Sequence, residues 1–252
     1  MNKSISEVTY EFEQADKLKL QELYAEYADD TRAGIVSLIA KYKKQETKMV
    51  DEINRIQTMS IYENSYCEYQ YICGIDEVGR GPLSGPVVAG AVILPKNCDI
   101  LYLNDSKKLT EKKREKLYDE IMNKAIATGI GIIGPNRIDE INILQATYEA
   151  MQIAVSKLQV VPDLLLNDAV TIPKINIEQV PIIKGDEKSI SIAAASIIAK
   201  VTRDRLMVKY EEVLPGYGFA NNKGYGSQEH INALKKMGAS PIHRQSFIKK
   251  FI

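Results

Sequence analysis

The chain has 252 residues, 45% of them apolar, with 33 basic and 33 acidic side chains and no net charge, enough for one large core or one domain plus an appendage. No apolar run approaches the roughly 20 residues that a membrane helix needs. The N-terminus, MNKSISEVTYEFEQ, has no apolar core and carries acids, so a cytoplasmic protein without membrane association is expected. Cys67, Cys73 and Cys98 are odd in number and lack CxxC spacing, which argues for reduced thiols rather than disulfides or zinc.

Residues 1–70 read as a helical extension. Ile5, Val8 and Phe12 form one apolar stripe, residues 18–27 a second segment, and Ile35, Leu38, Ile39, Tyr42, Met49, Ile53 and Ile56 a third, with Asp29, Asp30 and Gly34 as punctuation. This part holds 13 acids against 9 bases, leaving 20 against 24 for residues 71–252. From Tyr71 the pattern changes to short apolar runs alternating with helical stretches. Strands are expected at 71–75, 86–94, 129–133, 164–166 and 180–183, and helices at 110–127, 137–158, 189–214 and 228–237. The alternation predicts a second, α/β domain over residues 71–252, a mixed sheet covered by helices.

The segment YICGIDEVGRGPL (71–83) places Asp76 and Glu77 at the end of an apolar run and follows them with Gly79, Arg80 and Gly81. Period-2 alternation would send the two acids to opposite faces, but the glycines suggest that the strand ends at Ile75. Paired carboxylates repel one another and lose solvation on burial, so they need a cation, and oxygen-only ligands suit Mg²⁺ or Mn²⁺. The glycines let backbone N–H groups approach a phosphate or sugar hydroxyl, and Arg80 can fork onto a phosphate. An acidic surface turn is the plain alternative.

Two further strands end in acids: DLLLND reaches Asp168 and PIIKGD reaches Asp186. In α/β sheets the carboxyl ends of strands collect where ligands bind, so Asp76, Glu77, Asp168 and Asp186 together read as a divalent-ion site. Taken singly, Asp168 is a turn residue, and Asp186 stands where it could cap the next helix. With only His230 and His243 in the chain and no nucleophile elbow, metal must activate the water. Lys107, Lys108, Lys112, Lys113, Arg114 and Lys116 fall within ten residues; charge alone makes them a solvated helix face.

From Tyr71 onward the chain resembles the bacterial ribonuclease HII family. GIDEVGRGPLSGPVVAGAVIL, LNDSKKL, IDEINILQAT, KGDEKSISIAAASIIAKVTRDRLM, NKGYGS and PIHRQSF occur in the family's order. The resemblance implies a ribonuclease H-like mixed central sheet flanked by helices, to which the helical N-terminal extension is added. It implies two-metal endonucleolytic hydrolysis of RNA in RNA/DNA hybrids and of single ribonucleotides in duplex DNA, 5′ of the ribonucleotide, leaving 3′-hydroxyl and 5′-phosphate ends. By position, Asp76, Glu77 and Asp168 would be metal ligands and Asp186 the fourth acid. Gly79, Arg80 and Gly81 match the segment that reads the 2′-hydroxyl, the group that separates RNA from DNA. Tyr225 matches a tyrosine that packs on the following deoxyribose. Ser106, Lys107 and Lys108 would hold backbone phosphates, Lys184 and Arg203 are weaker candidates, and His243 and Arg244 read as structural, with phosphate contact as the alternative. One position departs from the pattern: Asn167 stands where an apolar residue usually precedes the second aspartate, and a solvated, tolerated side chain is expected there.

At the C-terminus, Gln245, Ile248 and Phe251 have a spacing like short sliding-clamp ligands, a loose motif. A metal-dependent DNA nuclease or phosphatase would keep the acids without needing a 2′-hydroxyl reader. A hybrid-binding or clamp-binding scaffold would need the acids only as structure.

Overall fold

The computed structural model describes residues 3–252, which form two compact units, one ending at Arg55 and one running from Ile56 to Ile252. The first contains α1 (Ile5–Gln14), α2 (Lys17–Glu26) and most of α3 (Ala33–Met59). Ser4 and Glu7 form a capping box at the start of α1, and Asp16 caps α2 by accepting from Lys19 N. Val8, Phe12, Leu23, Tyr24, Tyr27, Ile35 and Leu38 make its core. The expected stripes are only partly used, because Ile5, Met49 and Ile53 are exposed.

The second unit continues with α4 (Ile61–Ser65), β1 (Ile72–Val78), β2 (Val87–Ile93), α5 (Glu111–Lys124), β3 (Ala127–Ile133), α6 (Pro135–Ser156), β4 (Leu164–Asp168), β5 (Glu178–Ile182), α7 (Ile190–Val213), α8 (Phe219–Asn222), α9 (Gln228–Met237) and α10 (Gln245–Ile248). The five strands form one sheet in the order β3-β2-β1-β4-β5. β1 pairs antiparallel with β2 and parallel with β4, and β4 pairs parallel with β5, so the sheet is mixed as expected.

Both faces are covered, which is why β2 reads as an unbroken apolar run, VVAGAVI, rather than as an alternation. Val92 turns to α5 and α7, while Ala89, Ala91 and Ile93 turn to α6. Helix α7 lies so close to β1 that a Cβ on Gly74 would overlap the Ser191 carbonyl. That contact draws the start of α7, and the turn before it, against the strand that carries Asp76.

Two local expectations change. The helix expected over 137–158 is interrupted at Asn142 (φ 67°), whose Oδ1 accepts from Leu144 N and Gln145 N and so restarts the helix. Strand β1 does not end at Ile75: β2 supplies Gly90, Ala89 and Val88 as partners for Asp76, Glu77 and Val78, and Gly79 (φ 91°) stops the strand.

Candidate active site

Because β1 runs through Val78, Asp76 and Glu77 alternate in direction after all. Asp76 shares its side of the sheet with Asp168, the last residue of β4, and with Asp186, which lies in a 3₁₀ turn (Gly185–Glu187) after β5. One ligand oxygen from each of these three lies within 4.8 Å of the others. Gly185 N donates to Asp168 Oδ1 at 2.8 Å, which ties the turn to β4. Asp186 does not cap α7. Ser189 does, and Glu63 steadies that helix start by accepting from Ser189 Oγ (2.6 Å) and Ser191 N (3.0 Å).

Glu77 is not in the three-carboxylate cluster. It meets Arg80 at 3.2 Å, although it still lines a cleft of about 450 Å³ together with Asp76, Ser106, Lys107, Lys200 and Tyr225. Burial pushes the Asp76 carboxyl well above the usual range, and the charges of Glu77 and Asp168 add to this. Burial also raises Glu77, with Arg80 opposing. Asp186 is pushed up to about 6 by burial and by Asp105 and Asp168. Crowded hard oxygen donors whose charges oppose one another fit a divalent cation, which would relieve all of them at once.

The remaining sequence candidates are not all alike. Lys107 turns toward the acids: burial alone would lower its pKa, but Asp105, Asp76 and Asp186 together raise it. Ser106 is buried, its hydroxyl against Ser196 Oγ at 2.9 Å, and Lys108 pairs with Glu187 at 2.8 Å. Gly79 has the positive φ that a glycine allows, and a Cβ there would strike the Arg203 side chain; off Gly81 a Cβ would meet nothing, so that face is open. Tyr225 is 42% exposed at the cleft, with the Arg203 guanidinium 5.8 Å from its ring centre.

Arg203 is fully buried, which removes it as a phosphate ligand: it donates to the carbonyls of Pro86 (2.9 Å), Lys223 (2.8 Å) and Ser84 (3.2 Å). Asn167 is also fully buried rather than solvated. Its Nδ2 donates to Gln179 Oε1 at 2.8 Å, and its Oδ1 has no hydrogen-bond partner among the described residues. Ile248, the middle of the clamp-like spacing, is 1% exposed and packs with Leu83 and Leu234.

A model of the family described as Ribonuclease HII matches residues 73–250, and one described as Ribonuclease HII N-terminal domain matches residues 4–67. The chain belongs to the ribonuclease HII family. It is a ribonuclease H enzyme, an endonuclease of RNA–DNA hybrids. Ribonuclease HII of Lachnoclostridium phytofermentans is 65% identical over 249 residues, covering 99% of this chain and 98% of that one. That of Acetivibrio thermocellus is 56% identical, covering 93% and 91%. The crystal structure of ribonuclease H2 from Pyrococcus horikoshii matches with a TM-score of 0.60 at 29% identity, over 72% of this chain and 96% of that one. Ribonuclease HII of Archaeoglobus fulgidus, solved in complex with PCNA, matches with a TM-score of 0.58 at 28% identity, over 69% and 94%.

Sequence reasoning missed several members of the cleft. Ser196 and Lys200 line it and recur with Asp204 every four residues along α7, a polar stripe that the spacing could have revealed. Lys200 pairs with Asp204 at 2.8 Å, Asp204 faces Arg114 at 3.7 Å, and Arg114 holds the Ser106 carbonyl at 3.1 Å. This chain of contacts fixes the Ser106–Lys108 turn, with Asp105 as its cap, beside the acids.

Proposed function

We propose that this chain hydrolyses RNA in RNA/DNA hybrids and single ribonucleotides embedded in duplex DNA, with Mg²⁺ or Mn²⁺, cutting 5′ of the ribonucleotide to leave 3′-hydroxyl and 5′-phosphate ends. The observation that carries the reading is the meeting of Asp76, Asp168 and Asp186 within 4.8 Å, at the end of the strand that leads into Gly79-Arg80-Gly81. Asp76, Asp168 and Asp186 would hold the divalent ions, with Glu77 joining once it leaves Arg80. When bound, such ions lower the pKa of water and offset charge on the leaving oxygen.

The protein's own groups do the rest. Lys107 stands against the acids, where it can meet the scissile strand's phosphate; Lys108 and the basic α5 extend that surface, and Ser106, buried against Ser196, holds the turn that presents the two lysines. The open face of Gly81 lets the backbone approach a 2′-hydroxyl, which DNA lacks. Tyr225 would pack on the following deoxyribose, where another hydroxyl would spoil the fit. All three cysteines are free thiols, in keeping with work in the cytoplasm, and no helix among the described residues is long and apolar enough to cross a membrane.

Three duplexes test this: one with a single ribonucleotide, an RNA/DNA hybrid and an all-DNA control, each with Mg²⁺ or Mn²⁺. The first two should be cut and the third spared, with ligatable ends at the single-ribonucleotide nick. Equal cutting of all three would favour a general metal nuclease, and binding without turnover in Mn²⁺ a scaffold. A sliding clamp is a second partner, supported by the Archaeoglobus complex. Because Ile248 is buried here, clamp binding through Gln245, Ile248 and Phe251 would have to free it. Removing Phe251 and Ile252 should then weaken clamp binding, and unchanged binding would end that reading.

A further inference from the structure

The segment 240–244 binds both parts of the proposed sugar reader. His243 bridges antiparallel to Ser84, Gly85 N donates to Ile242 O at 2.8 Å, and Arg244 N donates to Leu83 O at 2.9 Å. The fully buried Arg244 side chain donates to three carbonyls of the adjoining turn: Gly85 (3.0 Å), Arg80 (2.8 Å) and Gly79 (2.5 Å). Its planar fork fixes the path of the turn that contains Gly81.

His243 reaches the other part. Ser240 N can only donate, so His243 Nδ1, 2.9 Å away, carries no proton, and Ser240 Oγ donates to the same nitrogen at 2.8 Å. The neutral ring then holds its proton on Nε2, which donates to His230 Nε2 at 3.0 Å. His230 in turn holds its proton on Nδ1 and donates to the Tyr225 carbonyl, an obligate acceptor, at 2.8 Å. One tautomer of each ring satisfies every contact. The rings of Phe219 and Tyr217 enclose the pair, 5.3 Å from His230 and 5.0 Å from His243. Burial, and for His243 also the neighbouring His230, pushes both imidazoles below their ordinary pKa, so both are neutral near pH 7.

We propose that His243 and Arg244 are positioning residues that set Tyr225 in register with the Gly79-Arg80-Gly81 turn, Arg244 by caging the turn's carbonyls and His243 through His230 and the Tyr225 carbonyl. The inference rests on the reading that Tyr225 and this turn meet neighbouring sugars. The two adjacent residues together hold constant the distance between the group that senses ribose and the group that packs on the next sugar. A hybrid offers ribose at every step and depends less on that distance than a lone ribonucleotide does.

The test uses the full chain and measures kcat and KM on the single-ribonucleotide duplex and on the RNA/DNA hybrid. His230→Asn places an amide N–H near the position of Nδ1 and keeps a donor for Tyr225, whereas His230→Gln faces His243 and loses that donor. His230→Gln should lower kcat/KM on the single-ribonucleotide duplex about tenfold relative to the hybrid, and His230→Asn should keep the wild-type ratio within about threefold, the scale of one hydrogen bond. Equal behaviour of the two variants, or parallel loss on both substrates, overturns the proposal. If His230→Gln does not fold by circular dichroism, His243→Asn takes its place: its Oδ1 still accepts from Ser240 N, but it has no donor for His230, and an unchanged ratio there overturns the proposal. Tyr225→Ala is run alongside. If it leaves the ratio unchanged, the sugar-reading role of Tyr225 fails; if it shifts the ratio and His230→Gln does not, only the positioning role fails.

Discussion

At Asp76, Asp168 and Asp186 three carboxylates crowd together, with burial and like charge raising the pKa values of Asp76 and Asp186. Elsewhere in the same unit, Arg203 and Arg244 are buried more deeply, yet each donates to three backbone carbonyls. The first region is electrostatically unfinished and calls for a cation; in the second, burial and Arg203 push Arg244 down to about 9, but the guanidinium donors are taken up by backbone carbonyls, so its hydrogen bonding is finished without a ligand. On the function proposed above, the difference separates chemistry from recognition: the carboxylates stay opposed until metal is gathered, while the backbone that would meet the sugar is held in place beforehand.

The largest effect should come from removing the unfinished charges. Asp76→Asn or Asp168→Asn should lower cleavage by about a thousandfold or more, the scale of losing a principal electrostatic stabiliser. In metal-free buffer these variants should melt no lower than the parent, because like-charge repulsion is relieved; a large drop in melting temperature would mean that the acids are structural. In the finished region the effects reverse. Arg244→Leu leaves the carbonyls of Gly79, Arg80 and Gly85 without their donor and should cost about 3 kcal/mol or more in denaturant unfolding, a loss that added Mn²⁺ does not repair.

The two regions should also oppose one another in pH. His243, ordinarily near 6.5, is held down to about 4, so the unfolded chain binds more protons between those values and this contribution to stability falls as pH drops from about 6.5 to 4. Asp186, ordinarily near 3.8, is raised to about 6, so the folded chain binds more protons and stability rises as pH drops through 6 toward 3.8. Without metal, Asp186→Asn should therefore make the acid-side fall of stability steeper, measured by urea unfolding at a series of pH values. A shallower fall would contradict the assignment. The smallest effect belongs to Asn167→Val, which removes an unpaired buried oxygen while Gln179 keeps Ile172 N as a partner; the change should stay within about 1 kcal/mol.

The same two regions differ in how far the sequence could be read. Acids at strand ends were legible, since Asp168 and Asp186 end apolar runs and parallel strands bring such ends together. Glu77's separation from the cluster was not, because it depends on β2 extending β1 by three residues past Ile75. Basic residues were less evenly legible: Arg244 reads as structural and lies in a cage of carbonyls, but Arg203 has the charge of a phosphate ligand, and whether a guanidinium meets solvent or such a cage is decided by loops distant in sequence. Asn167 misled for the same reason, its partner Gln179 lying on another strand.

If the acidic cluster is unfinished until a divalent cation arrives, calorimetric titration with Mn²⁺ in the absence of nucleic acid should show it. Saturable binding to the wild-type chain is expected, with release of protons at pH 6, and that binding should be lost in Asp76→Asn and Asp168→Asn. Equal binding by all three proteins, or none by the wild type, would contradict an acidic cluster built for metal.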